Sequence, residues 1–145
     1  MGNHDLSAAL RTVAALLDRY PDGPEVCSVQ ATRTRLRGLG VEVQLDCAND
    51  KLSQIARWAQ LLDTSVQLCP RPDYVSAEVT VEVATHDDPW SVTRVKFWDH
   101  LRGAEVLRLL TLVGVVLGEG ETRTVAPGRL LAVASCESVS AWEAM

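Results

Sequence analysis

Aromatic residues other than tryptophan are scarce: one phenylalanine and two tyrosines accompany four tryptophans. This weakens any reading as a stacking platform for nucleic acid, and a net charge of −5 opposes non-specific attraction to nucleic acid or anionic membranes. No Cys-x-x-Cys pair occurs. Cys27, Cys47, Cys69 and Cys136 are widely spaced, and no secretory leader is expected. Reduced thiols in the cytoplasm are therefore expected, with no disulfide framework, metal site or cofactor. Long apolar runs are also missing. The most apolar stretch, Val106 to Leu117, is interrupted by Arg108 and falls short of the about 20 residues that cross a bilayer, so no membrane partner is expected. Myristoylation is not expected, because Leu6 stands where a hydroxyl residue is required.

Enzyme signatures are lacking as well. Gly114, Gly118 and Gly120 have no accompanying lysine and hydroxyl residue to make a phosphate loop. Ser135, Cys136 and Ser138 lack the glycines of a nucleophile elbow.

What is present is an ordinary globular composition, 47% hydrophobic and 23% charged, in 145 residues. A chain of this length buries roughly 68–70% of its unfolded surface, so residues 1–145 are expected to form one domain around one core. Residues 1–5 and 136–145 are expected to be flexible.

The clearest pattern runs from Tyr74 to Leu101. Val75, Ala77, Val79, Val81, Val83 and Thr85 alternate with Ser76, Glu78, Thr80, Glu82 and His86, the period of a half-buried strand. His86, Asp87, Asp88 and Pro89 supply turn chemistry, and Ser91 to Trp98 returns as a second strand, completing a long hairpin. Before it, Leu6, Leu10, Val13, Leu17 and Tyr20 mark one stripe of a helix that Pro21, Gly23 and Pro24 terminate. Val26 to Leu36 and Val41 to Asp46 then suggest a first hairpin. A second helix follows, with Asn49 or Asp50 as its cap and Leu52, Ile55, Ala59 and Leu62 as its stripe. Thr64 to Leu68 suggests a short strand.

After the long hairpin, the length of Ala104 to Leu117 favours a helix over a strand, although its valines oppose that choice. Short strands are expected near Thr122 to Val125 and Arg129 to Ala134. The predicted class is α+β: a mainly antiparallel sheet with two amphipathic helices on one face, plus an apolar C-terminal helix or strand pair.

The first helix and its exit, Ala14-Ala15-Leu16-Leu17-Asp18-Arg19-Tyr20-Pro21-Asp22, resemble the opening of short uncharacterised proteins of actinobacteria and their phages. In that group a hairpin, a second helix and further strands follow a Leu-Leu-Asp-x-x-Pro-Asp exit, with leucine common where this chain has Gly23. The resemblance implies a cytoplasmic accessory protein without an assigned activity, and it transfers no catalytic residue.

Three candidate surfaces follow from the residues. Trp90, beside Pro89 at a turn, and Trp142 in the tail suit a protein interface, where tryptophan is enriched; Trp98 and Trp58 suit the core. Arg33, Arg35 and Arg37 alternate, so a regular strand places them on one face, joined by Arg94 and Lys96 if both hairpins share a sheet. Such a face could bind an anion or nucleic acid, or simply pair with Glu42, Glu78 and Glu82. His86, Asp87 and Asp88 have the residue types of a metal-dependent hydrolase, but the further converging histidines and aspartates that such a site needs are missing, and a solvated turn accounts better for them. The leading expectation is a non-catalytic protein-interaction or regulatory module that self-associates as a homodimer. Anion binding and metal hydrolysis are the alternatives.

Overall fold

The computed structural model describes residues 3–34, 38–45, 50–114 and 121–135. Along the chain run α1 (Asn3–Asp18), β1 (Val26–Thr34), β2 (Gly38–Leu45), α2 (Lys51–Leu61), β3 (Val66–Pro70), β4 (Val75–Thr85), β5 (Asp88–Leu101), α3 (Ala104–Val113), β6 (Arg123–Val125) and α4 (Pro127–Ser135). The six strands form one sheet in the order β1-β2-β5-β4-β3-β6. Every neighbouring pair is antiparallel except β2 with β5, which run parallel. The fold is α+β, as the alternation predicts. The two expected hairpins share a single sheet because β2 adds to the free side of β5.

One hydrophobic cluster holds the elements together. The sheet contributes Val41, Val43, Val66, Leu68, Ala77, Val79, Val95, Phe97 and Val125, all on one face by strand register. Against them pack Val13 and Leu16 of α1, Leu52, Ile55 and Trp58 of α2, Val106 and Leu109 of α3, and Leu130 and Val133 of α4. Four helices therefore contribute to the core, where the periodicity suggested two and an undecided segment.

Several local expectations are corrected. Arg129 to Ala134 is helical, because Pro127 stands at the first helical position, where its missing N–H costs nothing, and Leu130, Val133 and Ala134 share a buried side. The segment from Ala104 is a helix, but it stops at Val113 because Gly114 takes the left-handed φ of 79°. The Arg123 guanidinium donates to the Val113 carbonyl at that end. Helix α1 begins at Asn3, within the segment expected to fray. Its buried side is Ala8, Ala9, Thr12, Val13 and Leu16, rotated from the expected stripe, so Leu10 is 43% exposed. Small alanines let α1 approach the sheet where leucines would hold it away.

Asp50 does precede α2 but makes no side-chain cap bond. Glu105 of α3 does this instead, its Oε2 accepting the Leu52 N–H at 2.9 Å. Asn49, Leu36, Asp46 and residues 115–117 and 136–145 lie outside the described residues.

Candidate functional site

The sheet face opposite the helices is the candidate site, since no described element covers it. Register places residues from all six strands on it in one row: Ser28, Gln44, Trp98, Glu78, Gln67 and Thr124. Toward the β4–β5 turn the next rows are Gln30, Glu42, Lys96, Thr80 and then Thr32, Gly40, Arg94, Glu82. Over these two rows lies an open concavity of about 800 Å³, lined by Gly40, Glu42, Thr80, Arg94 and Lys96 among others.

Its charges pair internally. Lys96 Nζ lies 3.2 Å from Glu42 and 3.8 Å from Glu78, and Arg94 lies 3.7 Å from Glu82. This is the cross-strand pairing anticipated as the ordinary alternative to a phosphate-gripping surface.

At the opposite end of the same face lies an aromatic group. The His100 ring stacks on Tyr74 with centroids 4.0 Å apart and meets Trp98 at 4.8 Å. The Arg102 guanidinium sits 5.1 Å from the centre of the Tyr74 ring. Burial and then the charge of Arg102 hold His100 below its ordinary pKa, so the imidazole in this stack is neutral at neutral pH. Burial also raises the Cys69 thiol, despite its hydrogen bond from Thr122, which leaves it protonated and a weak nucleophile. Sequence reasoning missed the aromatic group. It placed Trp98 in the core, whereas Phe97 faces the core and Trp98 is half-buried on the open face. The strict alternation of Phe97, Trp98, Asp99 and His100 was the signal that could have separated them.

The β4–β5 hairpin projects past its neighbours. Pairing with β3 ends at Glu78 and pairing with β2 ends at Arg94, which stands opposite Glu82, so Val83 to Thr93 forms a two-stranded arm. The turn itself is only His86 and Asp87, with Asp87 at φ 63°, and Asp88 and Pro89 already belong to β5. Pro89 is tolerated there because β5 has lost its second neighbour. By alternation Val92 continues the outer stripe of Arg94, Lys96 and Trp98, and Trp90 lies just beyond it, within the register shift that separates Val92 from Asp88. Trp90 is 96% exposed and Val92 is 61% exposed.

Helix α1 braces the arm. Buried Thr12 donates its hydroxyl to the Ala8 carbonyl at 2.7 Å and accepts the His86 N–H at 2.8 Å. Arg11 lies 3.8 Å from Asp87, whose carboxylate also lies 3.3 Å from His86 Nε2. These contacts hold the turn in place.

Other predicted residues do not assemble into the site. Arg33 stands opposite Leu39, on the helix side of the sheet, whereas Arg94 stands opposite Gly40 on the outer side. The expected arginine face is therefore divided between two surfaces. The relative register of the two hairpins, which sequence alone cannot supply, put Arg33 on the other side from Arg94. Arg35, Arg37 and Trp142 lie outside the described residues. Among the described residues, no three His, Cys, Asp or Glu side chains converge as metal ligands.

A second polar cluster lies on the helix side. Asp99 is 5% exposed, accepts the His100 N–H at 2.8 Å and lies 3.6 Å from Lys51 Nζ, which donates to the His100 carbonyl at 3.0 Å. Asp99 Oδ2 has no hydrogen-bond partner among the described residues. Burial raises the pKa of Asp99 despite Lys51, and raises that of Glu105 despite its bond from Leu52. With its lysine already in place, this cluster joins β5, α2 and α3 as a structural tie.

Among the described residues no helix is long and apolar enough to cross a membrane. Comparison of the chain with protein-family models, curated proteins and solved structures finds no match in any of the three.

Proposed function

We propose that the protein is a non-catalytic interaction module that binds a protein partner through the outer side of the β4–β5 arm. The observation that carries this reading is the pair Trp90 and Val92, both exposed near the tip of a hairpin whose turn α1 braces. A bare tryptophan on a rigid support is the usual chemistry of an interface anchor, since its large surface is desolvated at little cost in conformational entropy. The resemblance of the first helix to actinobacterial and phage accessory proteins agrees with such a role.

The anion or nucleic-acid reading has less support. Arg94 and Lys96 face Glu42, Glu78 and Glu82, and one face each of Tyr74 and His100 is taken up by their mutual stacking. The metal-hydrolase reading of His86, Asp87 and Asp88 is weaker still, because Arg11 and His86 both engage Asp87.

The test is affinity capture from the native host with wild-type protein and the Trp90→Ala/Val92→Ser variant, followed by measurement of the captured partner against purified protein. A partner bound by wild type and weakened about tenfold or more in the variant, with unfolding midpoint unchanged, supports the reading. Equal binding by both proteins removes the arm as the contact surface. Salt-sensitive binding of a single-stranded oligonucleotide would favour the anion reading instead.

A further inference from the structure

The two edges of the sheet are unlike. Strand β6 has three residues, and so short an edge offers little to a foreign strand. Strand β1 has nine, Val26 to Thr34, and is the other edge among the described strands. Its register shifts between Val26 and Ser28, which leaves Ser28 to Thr34 as a regular run of strand opposite β2. Of the devices that usually protect an edge, this run contains no proline and a single charged residue, Arg33 near its end. Val29, on its helix side, is 37% exposed.

We infer that Ser28 to Thr34 is a strand-pairing interface for a second copy of this chain, joined antiparallel across a two-fold axis at Ala31. The chemistry of the run is self-complementary in that arrangement. Ala31, a small residue, meets its own copy at the axis. Gln30 stands opposite Thr32 of the second copy, an uncharged polar pair on the open side of the sheet. Val29 stands opposite Arg33 of the second copy on the helix side, where an arginine stem packs on an aliphatic residue. The two Arg33 positions are four residues apart along the strand, roughly 13 Å, which exceeds the Debye length of about 8 Å at physiological salt. No acidic residue lies in the run, so no like-charge pair opposes the association. An edge strand paired with its own copy closes after two chains, as a two-fold interface requires. The outcome is one continuous sheet, with the open face of each copy on the same side and the two arms free.

Sedimentation equilibrium of the full chain tests this with two double variants. Gln30→Lys with Thr32→Lys sets lysine opposite lysine twice across the axis, and should raise the dimer dissociation constant about tenfold or more. Gln30→Lys with Thr32→Glu sets opposite charges in the same positions, with the lysine facing Glu42 inside its own chain, and should dimerise at least as tightly as wild type. Circular dichroism and unfolding midpoints should match wild type for both, because the substituted side chains lie on the open face. A wild-type chain that stays monomeric at all accessible concentrations overturns the inference, as do two variants that associate equally. Association that depends on Trp90 and ignores both β1 variants also overturns it, and assigns self-association to the arm.

Discussion

At the scale of single residues, the side chains that organise this protein are polar groups with two jobs each. Thr12 sits on the buried side of α1, where pattern reasoning expects only apolar residues, and its hydroxyl joins the helix backbone to the His86 N–H. Thr12→Val keeps the shape and removes the acceptor, so we expect a loss of about 1–2 kcal/mol in denaturant unfolding, with faster hydrogen exchange at the His86 amide. Thr12→Ser should restore most of both. Glu105 caps α2 from another element, and burial keeps its pKa high, as it does for Asp99. A carboxyl whose pKa is raised on folding contributes stability that is complete below the unfolded value and is lost as pH rises through the folded value. Glu105→Gln retains an acceptor for the Leu52 N–H without the charge. Its stability should therefore fall less than that of wild type as pH rises through and above the ordinary carboxylate range, when melting curves are compared across that window. A wild-type-like decline in the variant would mean that Glu105 contributes nothing to the slope.

At the scale of elements, the exit from α1 shows how a residue read for one property can be selected for another. Gly23 appears in the sequence as part of a Pro-Gly-Pro stop, and that stop does occur. In the fold, however, a Cβ at Gly23 would lie 3.1 Å from the Trp58 ring and 3.1 Å from the Tyr20 carbonyl. The Trp58 indole cannot retreat, because it stacks on Phe97 at 4.6 Å and donates its N–H to the Pro24 carbonyl at 3.1 Å. Gly23→Ala should therefore destabilise the protein by about 1–2 kcal/mol through overpacking, measured by urea denaturation. A neutral result would show that the loop from Pro21 to Pro24 shifts freely.

At the scale of the whole molecule, Trp58 ties α2 both to the sheet and to the segment between α1 and β1. It meets Tyr20 after α1, Phe97 in β5 and the Pro24 carbonyl before β1. Trp58→Ala should cost about 3–5 kcal/mol, lowering the thermal midpoint, whereas Trp90→Ala should stay within about 0.5 kcal/mol of wild type because its ring touches mostly water. Equal effects would contradict the assignment of one tryptophan to the core and the other to the surface. The sequence by itself determined the α+β class, the long hairpin, both early helices and the inward faces of β2 and β4, because side-chain alternation and helical spacing are local consequences of where apolar residues fall. Only the tertiary structure decided the parallel pairing of β2 with β5, the helical state of Arg129 to Ala134, the place of Glu105 at α2 and the separation of Arg33 from Arg94. Each of these depends on contacts between segments distant in the chain. Local patterning states which face a residue prefers to bury, and it carries no information on which strand will lie alongside.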